Sequence, residues 1–242
     1  MPPPDYTPDF RLDGLQPANP AMGESFRSAM EVNSDMLTVL ASHHSPDGRT
    51  SFFALHDGTA TWGIPGEPQL IALHLTRDTT ARIFTADFVR LPLVSMAQSW
   101  LIKRGCPADG IGLPQGMGTR PADETTASLE RRLTGDGDNF ALLFSYTEDS
   151  GPRPEITVLL RALDERAPYP YRVLLEQVDT DTWTHTLREG AFETFEAADA
   201  WLEDRDTPLP TPPPLGPPVT RTPMAPARPP APATSPRPGP SR

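Results

Sequence analysis

A chain of 242 residues with a net charge of -11 and one cysteine, Cys106, can build a substantial core but has no intrachain disulfide to brace it. Its acidity disfavours a phosphate backbone as partner, and no stretch nears the roughly 18 apolar residues of a membrane span. With no charged-then-apolar leader at the first residues, the expected address is the cytoplasm, and Lys103 as the only lysine among 21 basic residues suggests a GC-rich bacterial genome.

The 32 prolines set the limits of the folded part. Pro2, Pro3, Pro4, Pro8, Pro17 and Pro20 mark residues 1–22 as a disordered arm. Residues 207–242 read as a disordered Pro-rich tail, because they offer almost nothing to bury. Their only charges are Arg221, Arg228, Arg237 and Arg242, so the chain before them is more acidic still.

After the arm, residues 22–33 predict a short helix capped by Ser25, with Phe26 and Met30 one turn apart. The period then drops to two. Leu37, Val39 and Ala41 alternate with their neighbours up to a turn at Ser45-Pro46-Asp47-Gly48, and residues 50–56 return as the hairpin partner. Strands over 70–75 and 81–88 follow, and Pro92 suits the first turn of a helix that runs to Arg104. Residues 105–139 read as a Gly-rich linker holding a connecting helix over 122–134.

The order then repeats. Strands over 140–146, 155–160, 171–178 and 182–188 precede a helix that Thr194 caps. Val94, Ala97, Trp100 and Leu101 in the first closing helix answer Phe195, Ala198, Trp201 and Leu202 in the second. The expected fold is α+β: two tandem ββββα repeats over 23–104 and 140–206, each an antiparallel meander with a closing helix, forming a pseudo-twofold body with both tryptophans inside. Each meander is expected to leave one sheet face, or the groove between repeats, open for binding.

The candidate sites follow from residue types. His43, His44 and His74, with Asp47 in the turn, are the candidates for a metal or hydrolase site, but their spacing fits no compact ligand motif and His43 and His44 alternate in direction. Cys106 follows a helix C-terminus, which disfavours a thiolate and hence a Cys106–His185 pair. Gly110, Gly112, Gly116 and Gly118 lack the lysine of a phosphate loop. No catalytic, metal or cofactor residue is assigned, and an enzyme is less expected than a binder.

The expected function is therefore a non-catalytic adaptor, chaperone-like in its acidity, that holds another protein on a sheet face or in the groove between repeats, as a pseudo-dimeric monomer or a homodimer. Phe52, Trp62, Tyr146, Tyr171 and Trp183, with Arg172, are the candidate binding residues. The alternatives are a single-stranded nucleic-acid binder, stacking bases on those aromatics, and a hydrolase near His43, His44 and His74.

Overall fold

Two five-stranded sheets and five helices make up the α+β fold in a computed structural model, which describes residues 6–32, 34–135 and 139–212. The first half runs β1 (Gln16–Pro17), α1 (Pro20–Met30), β2 (Leu37–His44), β3 (Thr50–Asp57), α2 (Ala60–Gly63), β4 (Leu70–Asp78), β5 (Ile83–Leu91) and α3 (Val94–Lys103). The second runs β6 (Arg120–Pro121), α4 (Glu124–Gly135), β7 (Phe140–Glu148), β8 (Glu155–Ala162), β9 (Tyr171–Asp179), β10 (Thr184–Phe192) and α5 (Phe195–Glu203). Among the described residues, no helix is long and apolar enough to cross a membrane.

Each sheet is an antiparallel meander extended by one short parallel strand, in the orders β1-β5-β4-β3-β2 and β6-β10-β9-β8-β7. Both sheets are thus mixed, where the sequence predicted plain meanders. The halves agree in detail. The register slips once in each first hairpin, at Leu40 and at Leu143, the signature of a bulge. The turn after β4 is held by Asp78 Oδ1, which accepts from the amides of Thr80 and Ala81; Asp179 Oδ1 does the same for Asp181 and Thr182. Arg82 and Trp183, next in those turns, both take positive φ, at 57° and 55°, and among the described residues Arg11 is the one other non-glycine residue that does.

The matched unit is longer than a meander and one helix. Before each meander a Pro-Ala pair, Pro17-Ala18 or Pro121-Ala122, leads to a capped helix: Asn19 Oδ1 accepts from Met22 N, and Asp123 Oδ1 from Thr126 N. The first helix is therefore capped by Asn19, not Ser25. The connecting helix expected over 122–134 is α4, and it is preceded by β6, which pairs with β10 and joins what was expected to be a linker to the second sheet. Much of the expected arm is built in too, since Phe10 meets Phe26 and Phe53 edge-on at 5.4 Å and Leu12, Leu15 and Met22 pack on the same cluster. Of the expected tail, Leu209 packs beside Phe192 and Trp201, and Trp201 Nε1 donates to the Thr207 carbonyl; residues 213–242 lie outside the described residues.

Strand alternation gives each sheet two apolar faces, and both are covered. In the first sheet, Phe53, Leu73 and Leu75 pack on α1, while Phe52, Ala54 and Ala72 pack on α3. In the second, Val158, Leu160 and Leu174 pack on α4 and on Leu93 and Met96 at the start of α3; Leu159, Val173 and Leu175 pack on α5. So α3 and α4 share the layer between the sheets. The halves meet through non-equivalent faces, tail to head, whereas a pseudo-twofold body would bring equivalent faces together. Trp100 and Trp201 consequently sit in separate clusters: Trp201 is buried against Phe192 beneath α5, and Trp100 is half-buried under the Arg104 guanidinium. The open sheet face that the sequence suggested for binding is closed, and what remains is the space between the halves.

Candidate site between the two sheets

The site begins with three exchanges of residue type at matched positions. Ser51 pairs with Leu75 in the first sheet, and its counterpart Ile156 pairs with Glu176 in the second. Arg77 pairs with Phe84, and Val178 with His185. Seven residues past the helix cap stands Phe26 in α1 and Glu130 in α4. Phe26, Leu75 and Phe84 are one buried apolar cluster, the two rings edge-on at 5.4 Å. In the second half these positions carry Glu130, Glu176 and His185.

Alternation puts Glu176 and His185 on the face toward α4, with His185 diagonal to Glu176 across the β9–β10 ladder. The His185 ring is 4 % exposed and has both nitrogens occupied, Nε2 at 2.9 Å from Glu130 Oε1 and Nδ1 at 2.9 Å from Thr119 Oγ1. When neutral, the ring donates from Nε2 to Glu130 and accepts the Thr119 hydroxyl at Nδ1; when protonated, it donates at both. Burial alone would depress the His185 pKa, but the hydrogen bond to Glu130 and the negative charges of Glu176 and Glu130 outweigh it and hold it above its ordinary value.

Glu176 is treated differently. Its carboxyl has no hydrogen-bond partner among the described residues, and the side chain, half-buried, faces the space between the sheets. Burial, aided by repulsion from Glu130 and opposed by His185, pushes its pKa up to about 7. A carboxyl raised toward neutrality beside an imidazole is the pattern that marks functional sites.

The internal space is a cavity of about 390 Å³ between the sheets, past the N-terminus of α3. Glu130, Glu176, His185, Thr119, Thr147 and Asp149 supply its polar wall, and no lysine or arginine lines it. Leu40, Leu70 and Val94 from the first half and Leu113, Ile156 and Val178 complete it with apolar surface. Its rim is tied across the halves: Asp149 Oδ2 accepts from Thr61 Oγ1 and Gln69 Nε2, both at 2.9 Å, and Thr147 N donates to the Gly66 carbonyl. Gly66, at φ +79°, lies under the Tyr146 ring, where a Cβ would come within 2.4 Å of ring atoms. Thr147 Oγ1 is buried with no partner.

The residues singled out from sequence do not converge here. Of the candidate binding residues Trp183 alone lines the cavity, at its mouth and 53 % exposed, while His185 and Gly118, considered for other chemistry, line it too. Phe52 is buried, stacked on His74 at 4.7 Å, so it is no platform for a ligand. Trp62 stands out on α2, 72 % exposed; Tyr146 is on the flank, and Tyr171 meets Phe195 at 6.0 Å on the far side of the second sheet. Arg172 is bound to Glu189, which also holds Arg132, so it is no spare cation for phosphate.

The histidines separate as strict alternation requires. His43 lies beside Phe52, while His44 turns to the other face, onto Ser51 Oγ at 2.7 Å and the Phe53 ring. No group of three or more His, Cys, Asp or Glu side chains gathers at metal-binding distance among the described residues. Cys106 is buried in the first half, its thiol pushed up to about 11 by burial and by Asp109, and no contact joins it to His185.

Glu130 and Glu176 went unnoticed in the sequence, although the signal was present. Aligning Asp78-Thr79 with Asp179-Thr180 already places Glu176 against Leu75 and His185 against Phe84. The chain has no significant match among protein-family models, curated proteins or solved structures.

Proposed function

We propose that this is a non-catalytic binding protein whose ligand occupies the cavity between the two sheets. One observation carries the reading: an apolar trio that fills the first half, Phe26, Leu75 and Phe84, is matched in the second by Glu130, Glu176 and His185 around an open space. Burying these groups costs stability unless something answers them, and polar groups in a mostly apolar cavity of several hundred cubic ångströms are the usual marks of a small-molecule site. We further propose that the halves are copies of one βαββββα unit, the first serving as scaffold and the second carrying the site. The matched bulges, Asx turns and caps support that ancestry.

The test is to refill the cavity with the first half's own residues. The triple variant Glu130→Phe, Glu176→Leu, His185→Phe should fold with higher thermal stability and lose the ligands that stabilise the wild type in a small-molecule screen by thermal shift. Retention of those ligands would place binding elsewhere.

A second reading, the adaptor role, is favoured by one feature. Trp62 and Ile64, 72 % and 62 % exposed, project from the loop whose Gly66 lies under Tyr146, and a protein partner on that flank would bury them. Co-purification from the native cell, lost on Trp62→Ala but kept by the refilled variant, would support it.

A further inference from the structure

The cavity reading leaves open which chemistry the site receives, and hydrogen-bond bookkeeping narrows it. His185 spends one nitrogen on Glu130 and the other on Thr119. Asp149 Oδ2 is taken by Thr61 and Gln69. What stays unspent is the Glu176 carboxyl, an acceptor once ionised, and beside it, across Ile156, the buried Thr147 hydroxyl, which can accept or donate. A carboxylate drawn out of bulk solvent is favoured by a donor or a cation against it, and the cavity wall supplies neither lysine nor arginine.

The ligand must bring the missing charge. An anion would meet Glu130, Glu176 and Asp149 with no basic group in the wall but the imidazoles of His56 and His185, and His185 is engaged. A purely apolar ligand would seal Glu176 away from any partner. We infer that the cavity binds a protonated organic amine, its ammonium on the Glu176 carboxyl and its hydrocarbon body against Leu40, Leu70, Val94 and Ile156. This rests on the cavity reading above. The net charge of -11 concentrates cations around the protein and favours their capture over anions.

Binding is linked to protons. The groups facing Glu176 are Glu130 from α4, His185 from β10, His56 from β3 and Asp149 beyond β7. At mildly acidic pH the Glu176 carboxyl carries a proton; the ammonium keeps its own, and the carboxyl releases one to solvent as the ion pair forms. Affinity therefore rises with pH as Glu176 gives up its proton, until the amine itself deprotonates far above neutrality.

Isothermal titration of the full chain with 2-phenylethylamine, 2-phenylethanol and 3-phenylpropionate tests this. The amine should bind at least about ten-fold tighter than the alcohol at pH 8, roughly ten-fold more weakly at pH 6, and with proton release at pH 6. The carboxylate should not bind. Glu176→Gln should abolish the preference for amine while keeping the alcohol, which shows the variant folded. An alcohol or carboxylate that binds as well as the amine overturns the amine inference and leaves the cavity reading standing. An amine preference that survives Glu176→Gln also overturns it. Failure of all three probes to bind at millimolar concentration overturns both.

Discussion

Glu176 stands in the second sheet where Leu75 stands in the first, each facing the counterpart of the same β-hairpin residue and each turned toward the helix that opens its half. Leu75 is fully buried in a core of leucine, isoleucine and phenylalanine; Glu176 looks into a cavity. The rise of its pKa from 4.5 to about 7 corresponds to about 3 kcal/mol against the charged form.

Glu176→Leu should therefore stabilise the protein by about 3 kcal/mol at pH 8 and by about 1 kcal/mol at pH 5, where the native carboxyl is already neutral. Urea unfolding at the two pH values measures both figures. Equal gains would mean that Glu176 is charged throughout.

The unliganded protein should lose stability as the pH rises through neutrality. A carboxyl whose native pKa is raised binds its proton more tightly folded than unfolded, so its penalty is absent below 4.5 and complete above about 7. His185, also raised, contributes stability fully present below 6.5 that is lost as pH climbs through its native value. On the acid side Asp57 acts oppositely: burial raises its pKa, but bonds from Arg90, at 2.6 Å, and Thr59 prevail and lower it, so its contribution disappears as pH falls below 3.8. Thermal melts should peak near a pH of about 5, and the decline above it should flatten in Glu176→Leu.

Arg77 is the clasp of the N-terminal segment. Buried at 7 % exposure, its guanidinium donates to the carbonyls of Phe10, Arg11 and Gly48 and to Ser51 Oγ, at 2.6–3.2 Å. Val178 holds the matching place in the second sheet. Arg77→Val should cost about 2–4 kcal/mol and speed tryptic cleavage after Arg11 by more than about ten-fold, read by mass spectrometry. Unchanged cleavage would mean that the Phe10 contacts hold the segment alone.

Glu130 and His185 should behave as one unit. Glu130→Phe and His185→Phe alone each strand a polar partner and should destabilise by about 1–3 kcal/mol at pH 6, whereas the double variant, which recreates the Phe26–Phe84 pair, should recover most of the loss. Additive losses would show that the two do not interact. Although Thr119, His185 and Glu130 form a hydroxyl–imidazole–carboxylate chain, a binding protein should cleave 4-nitrophenyl acetate no faster than its His185→Phe variant does.

Local pattern was enough to find the strands. Alternation over Leu37–His44 or Tyr171–Asp179 and the turn residues between them specify extended chain without reference to anything distant, and Thr194 caps α5 by an interaction three residues long, with Ala197 N. The short parallel strands β1 and β6 escaped, because two residues carry no period; they are strands only through β5 and β10. The segment 6–15 looked like loose chain for a similar reason, since the guanidinium donor and the aromatic partners that hold it come from Arg77, Phe26 and Phe53, outside the segment.

By itself, the amino-acid order determined an acidic α+β chain in which one sequence of turns, strands and closing helix is written twice, because those features depend on neighbours a few residues apart. Tertiary structure decided how the two halves join. Two apolar faces per sheet allow either to be the meeting surface, and only the wedging of α3 and α4 into one layer selects the tail-to-head contact and brings Glu130, Glu176 and His185, more than 50 residues apart at the extremes, around a common space. Burial then did what residue type could not: it turned an ordinary glutamate on a strand into a carboxyl that waits for a cation.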